Sequence, residues 1–161
     1  MKVHKLEKII LITGGATLLL FLSVLFLQNM KFGHQHHAQS SIKTIDPKKV
    51  DTTAPFTAPG LKKVEKKEWD YELVMVASVF QYAPAEVEIP VGAKVKIIAT
   101  SKDVVHGLEV AGTNINVMLE PGLITEKITT FRKKGEYLVL CNEYCGNGHH
   151  YMSGILKVVD A

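Results

Sequence analysis

The chain of 161 residues has only two cysteines, both inside one short stretch near its end, so a scaffold stapled by several disulfides is excluded. Beyond residue 30 it has almost no helical periodicity, which excludes a helix bundle. No segment repeats, which excludes solenoids and propellers. The formal net charge of +3 is not spread evenly: residues 1–69 hold eleven Lys against five acidic residues, a balance of +6, and residues 70–161 hold eight Lys or Arg against eleven acidic residues, a balance of −3. The later half therefore lacks a basic face, and nucleic acid is not an expected partner. That mildly acidic half is compatible with a small basic protein partner, while the basic first half suits anionic lipid headgroups.

Charge is missing altogether from residues 9–27, "IILITGGATLLLFLSVLFL", and the run stays uncharged to Met30. At about 1.5 Å per residue it nearly matches a hydrocarbon core of roughly 30 Å, so residues 9–30 are expected to form a transmembrane helix. A signal peptide would have a shorter apolar run of about 7–15 residues and a small-x-small cleavage site. The following "FLQNMKFGHQHHA" is a poor cleavage site, and a retained anchor is the expectation. Lys2, Lys5 and Lys8 against Glu7 place residues 1–8 in the cytoplasm and the rest outside a cell membrane, crossed once. Residues 31–68 are polar, broken by Pro47, Pro55, Pro59 and Gly60, and read as a linker or extended arm. Its "HQHH", His34 to His37, reads as solvated linker rather than a metal site.

From Trp69 onward the pattern becomes that of short strands. "YELVMVASVF", "EVEIP", "AKVKIIAT", "HGLEV", "INVMLE", "LITEKITTF", "EYLVLC" and "GILKVVD" are separated by Gly and Pro turns. Residues 69–161 thus read as a mostly β domain, an antiparallel β-sandwich or barrel of Greek-key type, with Val95, Ile97 and Ala99 as one inward row.

The chemistry concentrates in "CNEYCGNGHHYM", residues 141–152, where Cys141, Cys145, His149 and Met152 follow at steps of four, four and three. Outside the membrane a disulfide is the default for two cysteines. A Cys141–Cys145 bridge would close a very small loop, gain little chain entropy and leave His149 and Met152 unexplained. Zinc takes thiolate and imidazole, but Met is a poor zinc ligand. A one-copper blue site needs one Cys, two His and an axial Met, which leaves one cysteine over. Two thiolates can also bridge two coppers, a centre that needs one imidazole on each ion. The second imidazole is best sought at His106, at the start of a predicted strand beside Gly107, where the backbone can approach closely.

The loop has the pattern C-x-E-x-C-x-x-x-H-x-x-M, and with "VVHGLEVAGTNINV", "PG" and "GEYLVLCNEYC" it resembles subunit II of the heme-copper cytochrome c oxidases, over about residues 75–159. One membrane helix with a small domain is most similar to the B-type oxidases. The resemblance implies a cupredoxin-like fold and a dinuclear copper centre, CuA. Cys141 and Cys145 would bridge its two ions, with His106 and His149 as imidazole ligands. Met152 and the Glu143 carbonyl would be the weak axial ligands. The choice of His149 over His150 follows that pattern. In A-type relatives the side chain at the Glu143 position also reaches a magnesium ion, whereas several B-type relatives have Gln there and lack it, which leaves a magnesium role open.

The implied function is electron transfer from cytochrome c through CuA to heme in the partner subunit I, where oxygen is reduced to water. This chain makes no bonds itself. A-type relatives receive electrons over a tryptophan early in the domain; here Phe80 and Tyr82 of "ASVFQYAP" stand in that place. The alternative is a membrane-tethered copper carrier or chaperone of cupredoxin fold, which needs only one copper. A thiol-disulfide redox protein would need neither His106 nor Met152.

Overall fold

The computed structural model describes residues 4–32, 43–65 and 68–160, and the chain divides into two compact units, residues 1–41 and 42–161. The histidine cluster at positions 34–37 lies outside the described residues.

The first unit holds one α-helix, α1 (Lys5–Phe32), in which Lys5–Gln28 has a mean hydropathy of 2.5 and could cross a membrane. At about 1.5 Å rise per residue its length exceeds a bilayer core. The hydroxyls within its apolar run are satisfied inside the helix. Thr13, Thr17 and Ser23 donate their hydroxyls to the carbonyls of Ile9, Thr13 and Leu19 at 2.9, 2.8 and 2.8 Å. That local bonding removes the cost of carrying hydroxyls into hydrocarbon.

Among the described residues the second unit has eleven strands: β1 (Lys43–Thr44), β2 (Gly60–Lys63), β3 (Tyr71–Ser78), β4 (Gln81–Ala83), β5 (Glu86–Pro90), β6 (Lys94–Ser101), β7 (His106–Val110), β8 (Asn116–Leu119), β9 (Leu123–Thr130), β10 (Gly135–Leu140) and β11 (Ser153–Val159). One sheet has the order β1-β9-β6-β3-β2 with β4 also on β3, and the other has the order β5-β11-β10-β7-β8. Between them lies the main core, where Leu73, Met75, Val95, Ile97 and Ala99 meet Leu108, Val110, Val139, Leu156 and Val158. The inward row expected from the alternation in β6 is thus observed.

Two features differ from the sequence expectation. The sandwich is mixed rather than antiparallel: β3 pairs β6 and β5 pairs β11 in parallel. The reason is a crossover. After the β3–β4 hairpin the chain passes to the other sheet as β5, then returns as β6 beside β3 and in the same direction.

The second difference is the arm. Its described part, residues 43–65, is not a free linker but belongs to the domain. Val50 and Phe56, with Ile45, are buried against Val74, Val76 and Ile98 on the outer face of the first sheet. A short 3-10 helix, Pro47–Thr52, sets Val50 in place; Asp46 caps it by accepting from the Lys48 N–H at 3.0 Å, and proline opens it. Strands β3 and β6 are therefore covered on both faces.

Candidate metal centre

Strand β10 delivers Cys141 and β11 begins just after Met152, so the loop between them is pinned at both ends. The Cys141 N–H bonds the Met152 carbonyl at 3.4 Å and closes its neck. Inside it the N–H groups of His149, Tyr151 and Met152 bond the carbonyls of Gly146, Gly148 and His149 at 3.0, 3.0 and 3.1 Å. A loop so bonded to itself gives up little entropy when its side chains take a ligand.

His106 opens β7 and is fully buried. Close approach at its neighbour is required: a Cβ on Gly107 would lie 1.8 Å from Asn142 Oδ1 and 2.7 Å from the Asn142 backbone nitrogen. Only glycine lets β7 and the metal loop come together here.

The donors form a chain. His106 Nδ1 lies 3.9 Å from Cys141 Sγ, Cys141 Sγ lies 3.8 Å from Cys145 Sγ, and Cys145 Sγ lies 3.6 Å from His149 Nδ1. Met152 Sδ is 3.8 Å from Cys145 Sγ, and the Glu143 carbonyl is 3.2 Å from Cys141 Sγ. Both cysteines are free thiols, so the disulfide reading fails in this structure. His106, Cys141 and Cys145 present donor atoms within 4.8 Å of one another, whereas His149 sits beyond the far sulfur. The two sulfurs are thus in the middle, with an imidazole nitrogen at each end and a weak donor beside each sulfur. Donors at such separations can share an ion at bond lengths of about 2.0–2.3 Å. Thiolate, thioether and imidazole together are the donor set of a soft metal. The Glu143 carboxylate is not part of that tight group among the described residues.

The tautomer of His106 is set from behind. Asp103 Oδ1 lies 2.8 Å from His106 Nε2, which therefore carries the proton and leaves Nδ1 as a lone-pair donor toward the sulfurs. Partial burial pushes the Asp103 carboxyl up. Hydrogen bonds from His106 and from the Val79 and Val104 N–H groups more than offset this and hold it below its ordinary value. The Cys145 thiol is raised, by burial first and then by the Cys141 sulfur beside it, so a metal must displace a proton to bind there.

The structure separates the two candidate aromatics. Tyr82 is 2% exposed and belongs to the core, its hydroxyl donating to the Gly107 carbonyl. Burial, and after it the neighbouring Cys141, pushes this phenol far above its ordinary range. Phe80 is 38% exposed and lies against Gly146 and Gly148 of the loop. Trp69 is at the opposite end of β3, beneath Lys96, whose Nζ is 4.5 Å from the ring centre.

Three residues near the site were missed by sequence reasoning. Asp103 has a legible signal, an acid three positions before the candidate ligand in "DVVH". Tyr144 and Tyr151, each 77% exposed, flank the ligands on the loop surface, and the Tyr144 ring lies 5.8 Å from that of His149. Exposed aromatics on such a loop are visible as letters, but their outward direction is not.

Known proteins resemble this chain in sequence and in fold. The family profile "Cytochrome C oxidase subunit II, periplasmic domain" matches residues 70–159. Cytochrome c oxidase subunit 2 of Thermus thermophilus is 38% identical over 117 residues, covering 73% of this chain and 87% of that protein. A chain of a heme-copper terminal oxidase dimer solved by cryo-EM superposes with a TM-score of 0.67 at 33% identity, covering 91% of this chain and 98% of that one. The periplasmic domain of subunit II of cytochrome oxidase from Bradyrhizobium japonicum gives a TM-score of 0.54 at 18% identity, over 58% of this chain and 87% of that one, and shares the cupredoxin-like fold. With its β-sandwich and its membrane-length helix, the chain belongs to the cytochrome c oxidase subunit II family.

Proposed function

We propose that this chain is the electron-input subunit of a cytochrome c oxidase, holding a dinuclear copper centre between Cys141 and Cys145. The observation that carries the reading is the order of donors: imidazole, sulfur, sulfur, imidazole, with neighbours 3.9, 3.8 and 3.6 Å apart. A one-copper carrier has no use for the second sulfur so placed. When bound, the two coppers would supply a site that takes up and releases one electron.

The residues of the chain do the rest. Cys141 and Cys145, as thiolates, would be the central sulfur donors, His106 and His149 the imidazole donors at either end, and Met152 and the Glu143 carbonyl the weaker donors. Asp103 holds the His106 proton on Nε2 so that Nδ1 stays a donor. The closed neck of the loop and the core below it keep the donors from rearranging with charge, so little reorganisation accompanies electron transfer.

Cytochrome c, the proposed donor, docks on the exposed side of the loop over Phe80, and His149 leads toward subunit I, whose heme is the acceptor. The helix α1 anchors the chain in the bilayer, with the lysines at its start in the cytoplasm and the copper domain on the outer face. Copper per chain with EPR tests the reading: two coppers sharing one unpaired electron are expected, and a single-copper spectrum contradicts it.

A further inference from the structure

The two-residue turn between β3 and β4, Val79 and Phe80, touches both sides of the ligand set. We propose that this turn is a positioning device that locks the metal loop against the His106 side of the site, with Phe80 as its key side chain. The proposal rests on the copper reading for the loop's purpose, not for the contacts themselves.

On one side the Val79 N–H donates to Asp103 Oδ2 at 2.7 Å, and Oδ1 of the same carboxylate lies 2.8 Å from His106 Nε2. On the other side the Phe80 ring lies on bare backbone. A Cβ on Gly148 would sit 2.4, 2.6 and 2.8 Å from three ring carbons, and one on Gly146 would sit 3.1 and 3.2 Å from two. A Cβ at 148 and the ring cannot share that space unless one of them shifts, so glycine at 148 lets the ring lie this close. Gly146 has a further reason to be glycine, since its φ is +127°.

These two glycines are placed to matter. Gly146 follows Cys145 and Gly148 precedes His149, so the ring presses on the backbone beside the buried Cys145 and the half-buried His149. The His106 end is reached through Asp103. One short turn therefore spans the interval between His106, which is strand-held, and His149, which sits on a single 3-10 turn (His149–Tyr151). The ring lies closest at Gly148, where a Cβ would meet three of its carbons.

The test is a double-mutant cycle in the full chain in detergent, read by copper release to a chelator and by amide exchange of residues 144–151 in the metal-free protein. Phe80→Ala and Gly148→Ala should each release copper about 10–100-fold faster, the range for lost outer-shell support. Each should also speed loop exchange while the amides of β6 stay protected. The combined variant should release copper more slowly than Gly148→Ala alone, because the methyl takes the space the ring has left.

Release and exchange unchanged in Phe80→Ala, or effects that simply multiply in the combined variant, would overturn the proposal. Should Phe80→Ala fail to fold, Phe80→Leu decides. Faster exchange confined to residues 144–151 sustains the proposal, and wild-type exchange overturns it. A wild type that never takes two coppers would strike the functional reading, and the metal-free exchange would still judge the turn.

Discussion

Two irregular stretches of this domain, residues 43–65 and 141–152, do opposite work. The first buries Val50 and Phe56 against the outer face of a sheet and contributes stability without touching the site. The second turns Cys141, Cys145 and Met152 inward, so that its buried side chains are the proposed metal donors. Loop-like sequence says nothing about which of these a segment is. The side-chain chemistry that the fold buries decides it: hydrocarbon in one case, sulfur and imidazole in the other.

The largest effect expected is on the metal side. Cys141→Ser or Cys145→Ser removes one of the two sulfurs of the proposed dinuclear centre and should abolish it, seen as loss of the shared-electron EPR signal. Retention of full dinuclear spectra in either variant would erase the distinction drawn between the two stretches. The arm should fail differently. Phe56→Ala opens a cavity against Val74, Val76 and Ile98 and should destabilise the domain by about 3–5 kcal/mol in denaturant unfolding. Its copper spectrum, measured where it is still folded, should be that of wild type; an altered one would mean that the arm also shapes the site.

Smaller effects sharpen the contrast. Met152→Leu keeps the buried volume and removes the thioether, so copper should stay bound while the midpoint potential moves, since an axial ligand tunes more than it holds. An unchanged potential would take Met152 out of the ligand set. The least effect belongs to Glu126, which pairs with Lys43 of β1 at 2.6 Å and Lys96 of β6 at 2.9 Å. Burial raises its carboxyl, and the two lysines more than offset that, leaving it below the ordinary value of 4.5. A lowered carboxyl contributes stability above its unfolded pKa and loses it as pH falls through the folded one. Glu126→Gln should therefore flatten the acid side of the stability curve, by less than about 1 kcal/mol because Lys43 is half exposed. A slope equal to that of wild type would show that the pair contributes nothing.

The same contrast explains what was legible in the sequence. The spacing in "CNEYCGNGHHYM" ties Cys141, Cys145 and Met152 to metal chemistry by residue type, and the family pattern chose His149 over His150, so these candidates could be named without coordinates. His106 followed from what that loop lacked and from the glycine beside it. Strands with polar–apolar alternation, such as β6, were equally plain. The arm was not: Val50 and Phe56 stand singly among prolines and lysines, with no period to mark a buried face, and their burial depends on β3 and β6 presenting a second apolar side. The parallel β3–β6 pairing was hidden for a similar reason, since alternation gives the face of a strand but not its neighbour. Tyr82 and Phe80, two residues apart, differ because Phe80 lies in the β3–β4 turn whereas Tyr82 is the middle residue of β4 and faces the core.

The central claim is that two sulfurs 3.8 Å apart, with an imidazole nitrogen beyond each, hold two metal ions and not one. Copper per chain, measured together with the EPR spectrum on the purified full chain, tests it most directly. The account predicts two coppers that share one unpaired electron across both nuclei. One copper with a spectrum localised on a single nucleus would contradict it.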